Sequence, residues 1–255
     1  MESIAIETRG DIAIMTMQRG KASPLDLEFT QQIIDTFATF AESSTRAVVL
    51  TGTGTIFSAG VDLLRLESGG TSYIERFVPQ FTQLVLAVFE FPKPLIAAVN
   101  GHAIAGGCVL ACATDQRVMA RGSGRIGVPE LLVGLPFPTA ALEVVRYVVP
   151  RQHWSAVFFE GNTYNADDAA GVGLVDEACA ADELLTRAVA RAEKLAALPA
   201  SAFALTKRQL HASTLEGIAL GTLHDAEAAQ LWQHPDTLDR VRNYMARTLK
   251  SQAGS

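Results

Sequence analysis

Two small-residue turns hold the residues of this chain best suited to chemistry. The apolar run from Pro94 to Val99 reads as a buried strand and ends in an Asn100-Gly101 turn. A glycine pair, Gly106-Gly107, then opens an apolar, helix-like segment running through Cys108, Val109 and Leu110. Glycines at a helix start let the backbone approach a ligand closely, with its free N–H groups pointing outward. Such an end favours negative charge, on a phosphate or on an oxygen that becomes anionic during a reaction. Tight helix–strand packing is the competing use of the same pair. The second turn, Thr51 to Leu63, follows the strand-like run Ala47 to Leu50 and leads towards a polar residue and a helix. Two such turns, each after a strand, can aim two backbone N–H groups at one point, which is the arrangement of an oxyanion hole.

Other chemistries fit the residues less well. Gly52-x-Gly54 lacks the Gly-Lys-Ser/Thr of a phosphate-binding loop, and it lacks the third glycine and later acidic residue of a dinucleotide fingerprint. No Gly-x-Ser-x-Gly segment accompanies His102, so a catalytic triad is not expected. Cys108 and Cys112 have helical spacing, but no His or Cys lies nearby to complete a metal site, and small buried cysteines are common. His153, His211, His224 and His234 fall in helical segments expected at the periphery, without metal-ligand spacing. Asp62 reads as the cap of a helix beginning near Leu63 rather than as an acid catalyst.

The elements that position these turns alternate. Ile4–Ile6 and Ile12–Met17 read as strands around Arg9-Gly10-Asp11. Asp26 caps a helix carrying Ile33, Ile34, Phe37, Phe40 and Ala41 at helical spacing. A helix from about Thr71 to Phe91 is stopped by Pro92. Strands are expected near 95–99, 117–120 and 125–128, with a helix from Gly106. Strand–helix alternation argues for an α/β fold. Periodicity leaves open whether the sheet is an open one or a spiral. Beyond residue 136 the segments 139–148, 151–160, 166–171, 182–197, 201–215, 217–231 and 236–249 read as helices. Leu238, Val241, Tyr244, Met245 and Leu249 form an apolar stripe on the last of them.

The chain has 255 residues, 49% of them hydrophobic, enough for a large core. A net charge of −6 and few aromatic residues argue against nucleic-acid binding. Three cysteines make no disulfide framework. The N-terminal residues, from Met1 to Glu7, do not read as a signal peptide, and the apolar stretch near 94–113 is too interrupted for a membrane span. A cytoplasmic protein without membrane association is expected.

Phe57-Ser58-Ala59-Gly60-Val61-Asp62 together with Asn100 to Cys108 resembles the crotonase superfamily, the enoyl-CoA hydratases and isomerases. Ile126-Gly127-Val128-Pro129-Glu130-Leu131-Leu132-Val133-Gly134-Leu135-Pro136 is similar to that family's third motif. The order and spacing of all three agree. The resemblance implies an α/β fold built as a spiral of ββα turns, with a core in 1–195 and a C-terminal helical, oligomerising region in 196–255. It implies a homotrimer or a dimer of trimers. It implies an acyl-CoA thioester substrate and no cofactor beyond the coenzyme A that the substrate carries. The thioester oxygen would lie between the N–H groups of Val61 and Gly106. Coenzyme A would contact Lys21, with Arg19 as a neighbouring candidate, and Ala22, Ala59, Val61, Asp62, Leu63, Leu64 and Gly106. Arg240, Arg242, Arg247 or Lys250 could assist from a neighbouring subunit.

Hydratases of this family use two glutamates. At the first position this chain has Val109; at the second it has Glu130. A single carboxylate suffices to shift a double bond from a 3-enoyl-CoA to the 2-trans-enoyl-CoA, so the pattern resembles the isomerase branch. The alternatives are an enoyl-CoA hydratase of fatty-acid metabolism, another acyl-CoA reaction on the same scaffold, or an acyl-CoA binding protein without catalysis. Glu67 and Glu75 lie near the segment that often covers the acyl pocket in the family. Beside Pro129, Glu130 also has a plain reading as a solvated charge at a helix start.

Overall fold

The computed structural model describes residues 3–253, and the side chains of residues 3–246. The chain winds as repeated strand–strand–helix units. In order these are β1 (Ile4–Arg9), β2 (Ile12–Met17) and α1 (Leu27–Glu42); β3 (Ala47–Thr51), β4 (Ile56–Ser58) and α2 (Leu63–Phe89); β5 (Leu95–Val99), β6 (His102–Ile104) and α3 (Gly106–Cys112). Then come β7 (Gln116–Ala120), β8 (Ile126–Gly127), a 3₁₀ turn at Glu130–Val133 and α4 (Thr139–Val148). The rest is β9 (Thr163–Tyr164), α5 (Ala166–Gly171), β10 (Glu177–Cys179), α6 (Leu184–Ala196), α7 (Ala200–Gln233) and α8 (Pro235–Ala253).

Six strands form one sheet in the order β1-β2-β3-β5-β7-β10, and four form a second in the order β4-β6-β8-β9. β1 and β2 both lie in the large sheet; in the next three units the first strand (β3, β5, β7) joins the large sheet and the second (β4, β6, β8) joins the small one. Apart from the β1–β2 hairpin, the large sheet is parallel: Ile14 pairs with Val49, Val49 with Ile96, and Ala98 with Val118. A parallel strand covered on both faces should be apolar throughout, and all five residues of β5 are buried. Leu95, Ala97 and Val99 face the main core, while Ile96 and Ala98 face Ala188, Ala192 and Ala196 of α6.

Of the small sheet the sequence reading expected β8, near 125–128; β4 and β6 escaped it because they are three residues long, too short to show alternation. Asp26 caps α1, accepting from the Phe29 N–H at 2.8 Å. α2 holds both expected helix starts: it begins at Leu63, breaks at Gly70, where φ is 57° and ψ −154°, resumes at Thr71, carries Pro79, and ends at Phe89. The expected helices 201–215 and 217–231 are one helix, α7. A glycine interrupts helical propensity, but packing wins here. A Cβ on Gly221 would lie 2.4 Å from Thr139 Cγ2, so glycine lets α7 meet α4. The Thr139 hydroxyl donates to the Gly221 carbonyl at 2.8 Å. The segment 151–160 is a 3₁₀ turn followed by a π-helical turn, not an α-helix. Ile218, Trp232 and Val241 belong to the main core, so α7 and α8 pack back onto it. Among the described residues no helix is long and apolar enough to cross a membrane.

His211 is not peripheral. It is buried, and its ring stacks on Phe89 at 3.7 Å with an interplanar angle of 7°. Burial first, and the nearby Lys207 charge second, depress its pKa from 6.5 to about 4. The folded chain therefore refuses a proton that the unfolded chain takes up. The stability tied to a neutral His211 is present above pH 6.5 and is lost as pH falls towards 4, by up to about 3 kcal/mol. His211→Phe keeps the stack without the titration. Its melting temperature should gain on wild type as the pH is lowered from 7, with equal slopes in differential scanning calorimetry disproving the assignment.

Candidate active site

The first turn is fixed by its own backbone. The Ala59 N–H donates to the Ala22 carbonyl at 2.9 Å, and the Asp62 N–H donates to the Leu25 carbonyl at 3.0 Å. The Gly60 N–H donates to the Ser58 hydroxyl at 3.2 Å, and that hydroxyl donates to the Ser23 carbonyl at 2.9 Å. Between Ala59 and Asp62, only the Val61 N–H has no acceptor among the described residues. Asp62 accepts from the Arg65 N–H at 3.0 Å, which confirms it as the cap of α2. Asn100 ties this region to the second turn: its amide oxygen accepts from the Gly52 N–H at 2.9 Å, and its nitrogen donates to the Gly54 carbonyl at 3.0 Å.

In the second turn Ala105 precedes α3 at φ 53° and ψ −123°. A non-glycine residue there stores local strain of about 1–3 kcal/mol. The Ala105 N–H is held by the Gly127 carbonyl at 2.9 Å. Gly106 is the first residue of the helix, so its N–H has no intrahelical acceptor. The two turns touch. A Cβ on Gly60, where φ is +82°, would lie 2.9 Å from the Gly106 nitrogen and 2.5 Å from the Ile104 carbonyl oxygen. Gly107 fulfils the packing reading, since a Cβ there would lie 2.3 Å from the Ser58 carbonyl oxygen.

Glu130 begins the 3₁₀ turn after β8 and is buried, not solvated. Its Oε2 has no hydrogen-bond partner in the structure. Burial raises its pKa from 4.5 to about 8, with its own backbone N–H pulling weakly the other way. Glu130, Val61 and Gly106 line one cavity together with Ala59, Leu63, Ile104, Ala105, Pro129, Val133 and Leu135. Glu130 is the only carboxylate in that lining. The cavity therefore sets a deprotonatable group beside two backbone donors in otherwise apolar surroundings, the equipment for making and holding an enolate.

The other expected residues are distributed around this cavity. Val109 is fully buried in the core and is not part of the lining. Ala22 supplies a carbonyl to the first turn, Lys21 is exposed, and Leu64 is 64% exposed. Arg19 is engaged by Asp26 and lies 3.7 Å from Glu28, so it is not a free cation. Arg242 pairs with Asp239 and, at 3.4 Å, with Glu67. Arg240 is exposed on α8. Arg247, Leu249 and Lys250 lie outside the described side chains. Neither Glu67 nor Glu75 lines the cavity.

Sequence reading missed a third of the wall. Phe81 from α2, Pro138 and Ala141 at α4, Trp232 from α7 and Tyr244 from α8 complete it. No local spacing marks them, because they meet only after the chain has wound.

Residues 7–246 match the enoyl-CoA hydratase/isomerase family profile. The chain is 26% identical to the mitochondrial enoyl-CoA delta isomerase 1 of Mus musculus over 256 residues, covering 98% of this chain and 89% of that one. It is 27% identical to the short-chain-enoyl-CoA hydratase of Clostridium acetobutylicum over 214 residues, covering 83% and 82%. The structure of the human mitochondrial delta3-delta2-enoyl-CoA isomerase superposes with a TM-score of 0.92 at 22% identity, over 98% of this chain and 99% of that one. With the ββα spiral and all three motifs in place, the chain belongs to the enoyl-CoA hydratase/isomerase family and has the crotonase fold.

Proposed function

We propose that this protein is an enoyl-CoA isomerase that converts a 3-enoyl-CoA into the 2-trans-enoyl-CoA. The observation that carries the reading is a lone buried carboxylate, Glu130, in the cavity that also holds the Val61 and Gly106 N–H groups. Ionised Glu130 takes a proton from C2. The electron pair moves onto the thioester oxygen, where the two N–H groups hold the enolate. Backbone donors are fixed before the reaction and favour the anion over the neutral carbonyl. The enolate then collapses, the double bond moves from C3–C4 to C2–C3, and Glu130 returns the proton to C4. Nothing enters or leaves, so one group that alternates between base and acid is enough. Hydration needs a second group to manage water, and apolar Val109 cannot provide it.

The substrate's coenzyme A is the only cofactor-like group required. Lys21, Ala22, Ala59 and Asp62, with Leu63 and Leu64 at the start of α2, would hold it. Incubation with matched 2-enoyl-, 3-enoyl- and 3-hydroxyacyl-CoA panels tests the reading. A 3-enoyl substrate should give a conjugated product of unchanged mass. A product heavier by one water, formed faster than isomerisation, would establish the hydratase alternative, and binding without turnover would establish the non-catalytic one.

We also infer a cytoplasmic homotrimer or dimer of trimers, with residues 196–255 contributing to the contacts. Leu220 and Leu223 on α7 are 76% and 84% exposed, a large apolar exposure for one helix face. Sedimentation at micromolar concentration should give a multiple of 27.2 kDa; a single species at the monomer mass would refute this.

A further inference from the structure

Burial of the cavity lining increases inward. Ala59 at the mouth is exposed and Leu63 partly so, whereas Phe81, Leu135, Ala141 and Trp232 are each at most 3% exposed. Trp232 cannot swing aside freely, because its indole N–H donates to the Pro136 carbonyl at 2.8 Å. The same bond occupies the polar atom that the indole would otherwise offer to a guest. Apart from Glu130, only Tyr244 brings a polar side-chain group to the lining. The cavity holds about 70 Å³.

We propose that Trp232 is the chain-length stop of this site, and that the substrates are short, uncharged aliphatic acyl groups. The proposal rests on the acyl-CoA reading given above and adds the class of acyl chain to it. Apolar walls favour each buried methylene, while an acyl group ending in a carboxylate would lose its hydration in a lining that has no cationic side chain. A longer chain meets a buried indole held at its nitrogen. Ala141 is the smallest side chain in the buried part of the wall, so enlarging it narrows the space.

The test uses two readouts. Affinity is measured by calorimetry for saturated butyryl-, hexanoyl-, octanoyl- and decanoyl-CoA, and kcat/KM is measured for the 3-enoyl series of the same lengths. Wild type should lose at least tenfold in both from six to ten carbons. Trp232→Ala should raise the ten-to-six ratio at least tenfold, and Trp232→Phe should raise it less. Ala141→Leu, which leaves Trp232 in place, should depress six carbons relative to four, and it keeps the proposal open to refutation if the Trp232 variants fail to fold. Equal affinity for all four lengths in wild type, or a folded Trp232→Ala with an unchanged length profile, would overturn the stop. Length-dependent affinity without isomerisation would leave the stop standing and sink the isomerase reading, whereas failure of every acyl-CoA to bind would sink both.

Discussion

Glu130→Gln should abolish isomerisation while acyl-CoA affinity survives. Glutamine fills the same space but cannot accept and return a proton, and the loss of a general base is worth about 10²–10⁴ in rate. The buried carboxyl also predicts the pH dependence. In the free enzyme Glu130 ionises only near pH 8, so kcat/KM for a 3-enoyl-CoA should climb with pH and level off above about 8. The residual rate of the Gln variant should lack that limb. Stability moves in the opposite direction. A carboxyl whose pKa is raised in the folded state favours folding below pH 4.5 relative to higher pH, and that advantage disappears as pH rises through about 8. Glu130→Gln should therefore melt higher than wild type in alkaline solution, with the gap closing towards pH 5. Unchanged turnover in a folded Gln variant removes Glu130 from the reaction. A pH-independent melting difference would mean that the carboxyl is not held neutral by burial.

Gly60→Ala should be the most damaging single methyl group near the site. Its Cβ would lie 2.9 Å from the Gly106 nitrogen and 2.5 Å from the Ile104 carbonyl oxygen, so the two turns must part. Losing alignment of one oxyanion donor costs about 10²–10³ in kcat. Strain at positive φ is a separate effect, and Gly54 measures it. Gly54 has φ +58° and no atom within 4 Å of an added Cβ. Gly54→Ala should lose some stability to strain, as Gly60→Ala does, while keeping kcat within a few fold. If the two variants show the same kcat in saturating substrate, the contact between the turns does not position the donors.

What could be read from the sequence follows from physical range. The caps Asp26 and Asp62 act over three residues, through side chains bonded to the N–H groups of Phe29 and Arg65, so local spacing revealed them. β3, β5 and β7 were visible because they are largely buried and read as apolar runs, whereas the three-residue β10 of the same sheet was not expected. β4 and β6 were not, although they carry the two turns: three residues give no pattern, and their pairing bridges more than 40 positions, from Ile56 to His102. Glu130 was found through its motif, but its burial depends on walls from α2, α4, α7 and α8. His211 was misplaced for a related reason, since its stacking partner Phe89 lies on a different helix. Two glycines in α7 look like a break until Thr139 and Glu143 are brought against them.

The N–H groups of Val61 and Gly106 have a consequence for how this protein would look to mutagenesis. Trimming Val61 to alanine leaves its amide where the hydrogen bonds of Ala59, Gly60 and Asp62 hold it. Gly106 has no side chain to trim, and enlarging it brings a Cβ within 3.1 Å of Leu25 and 3.2 Å of Phe81, which perturbs packing before it touches the donor. An alanine scan would therefore flag Glu130 and pass over the groups that steady the charge Glu130 creates. Replacing the amide at position 61 or 106 by an ester, which deletes one hydrogen and little else, would expose them. If the proposed reaction holds, these two positions contribute through their dihedral angles, and a side-chain inventory of the site would pass over them.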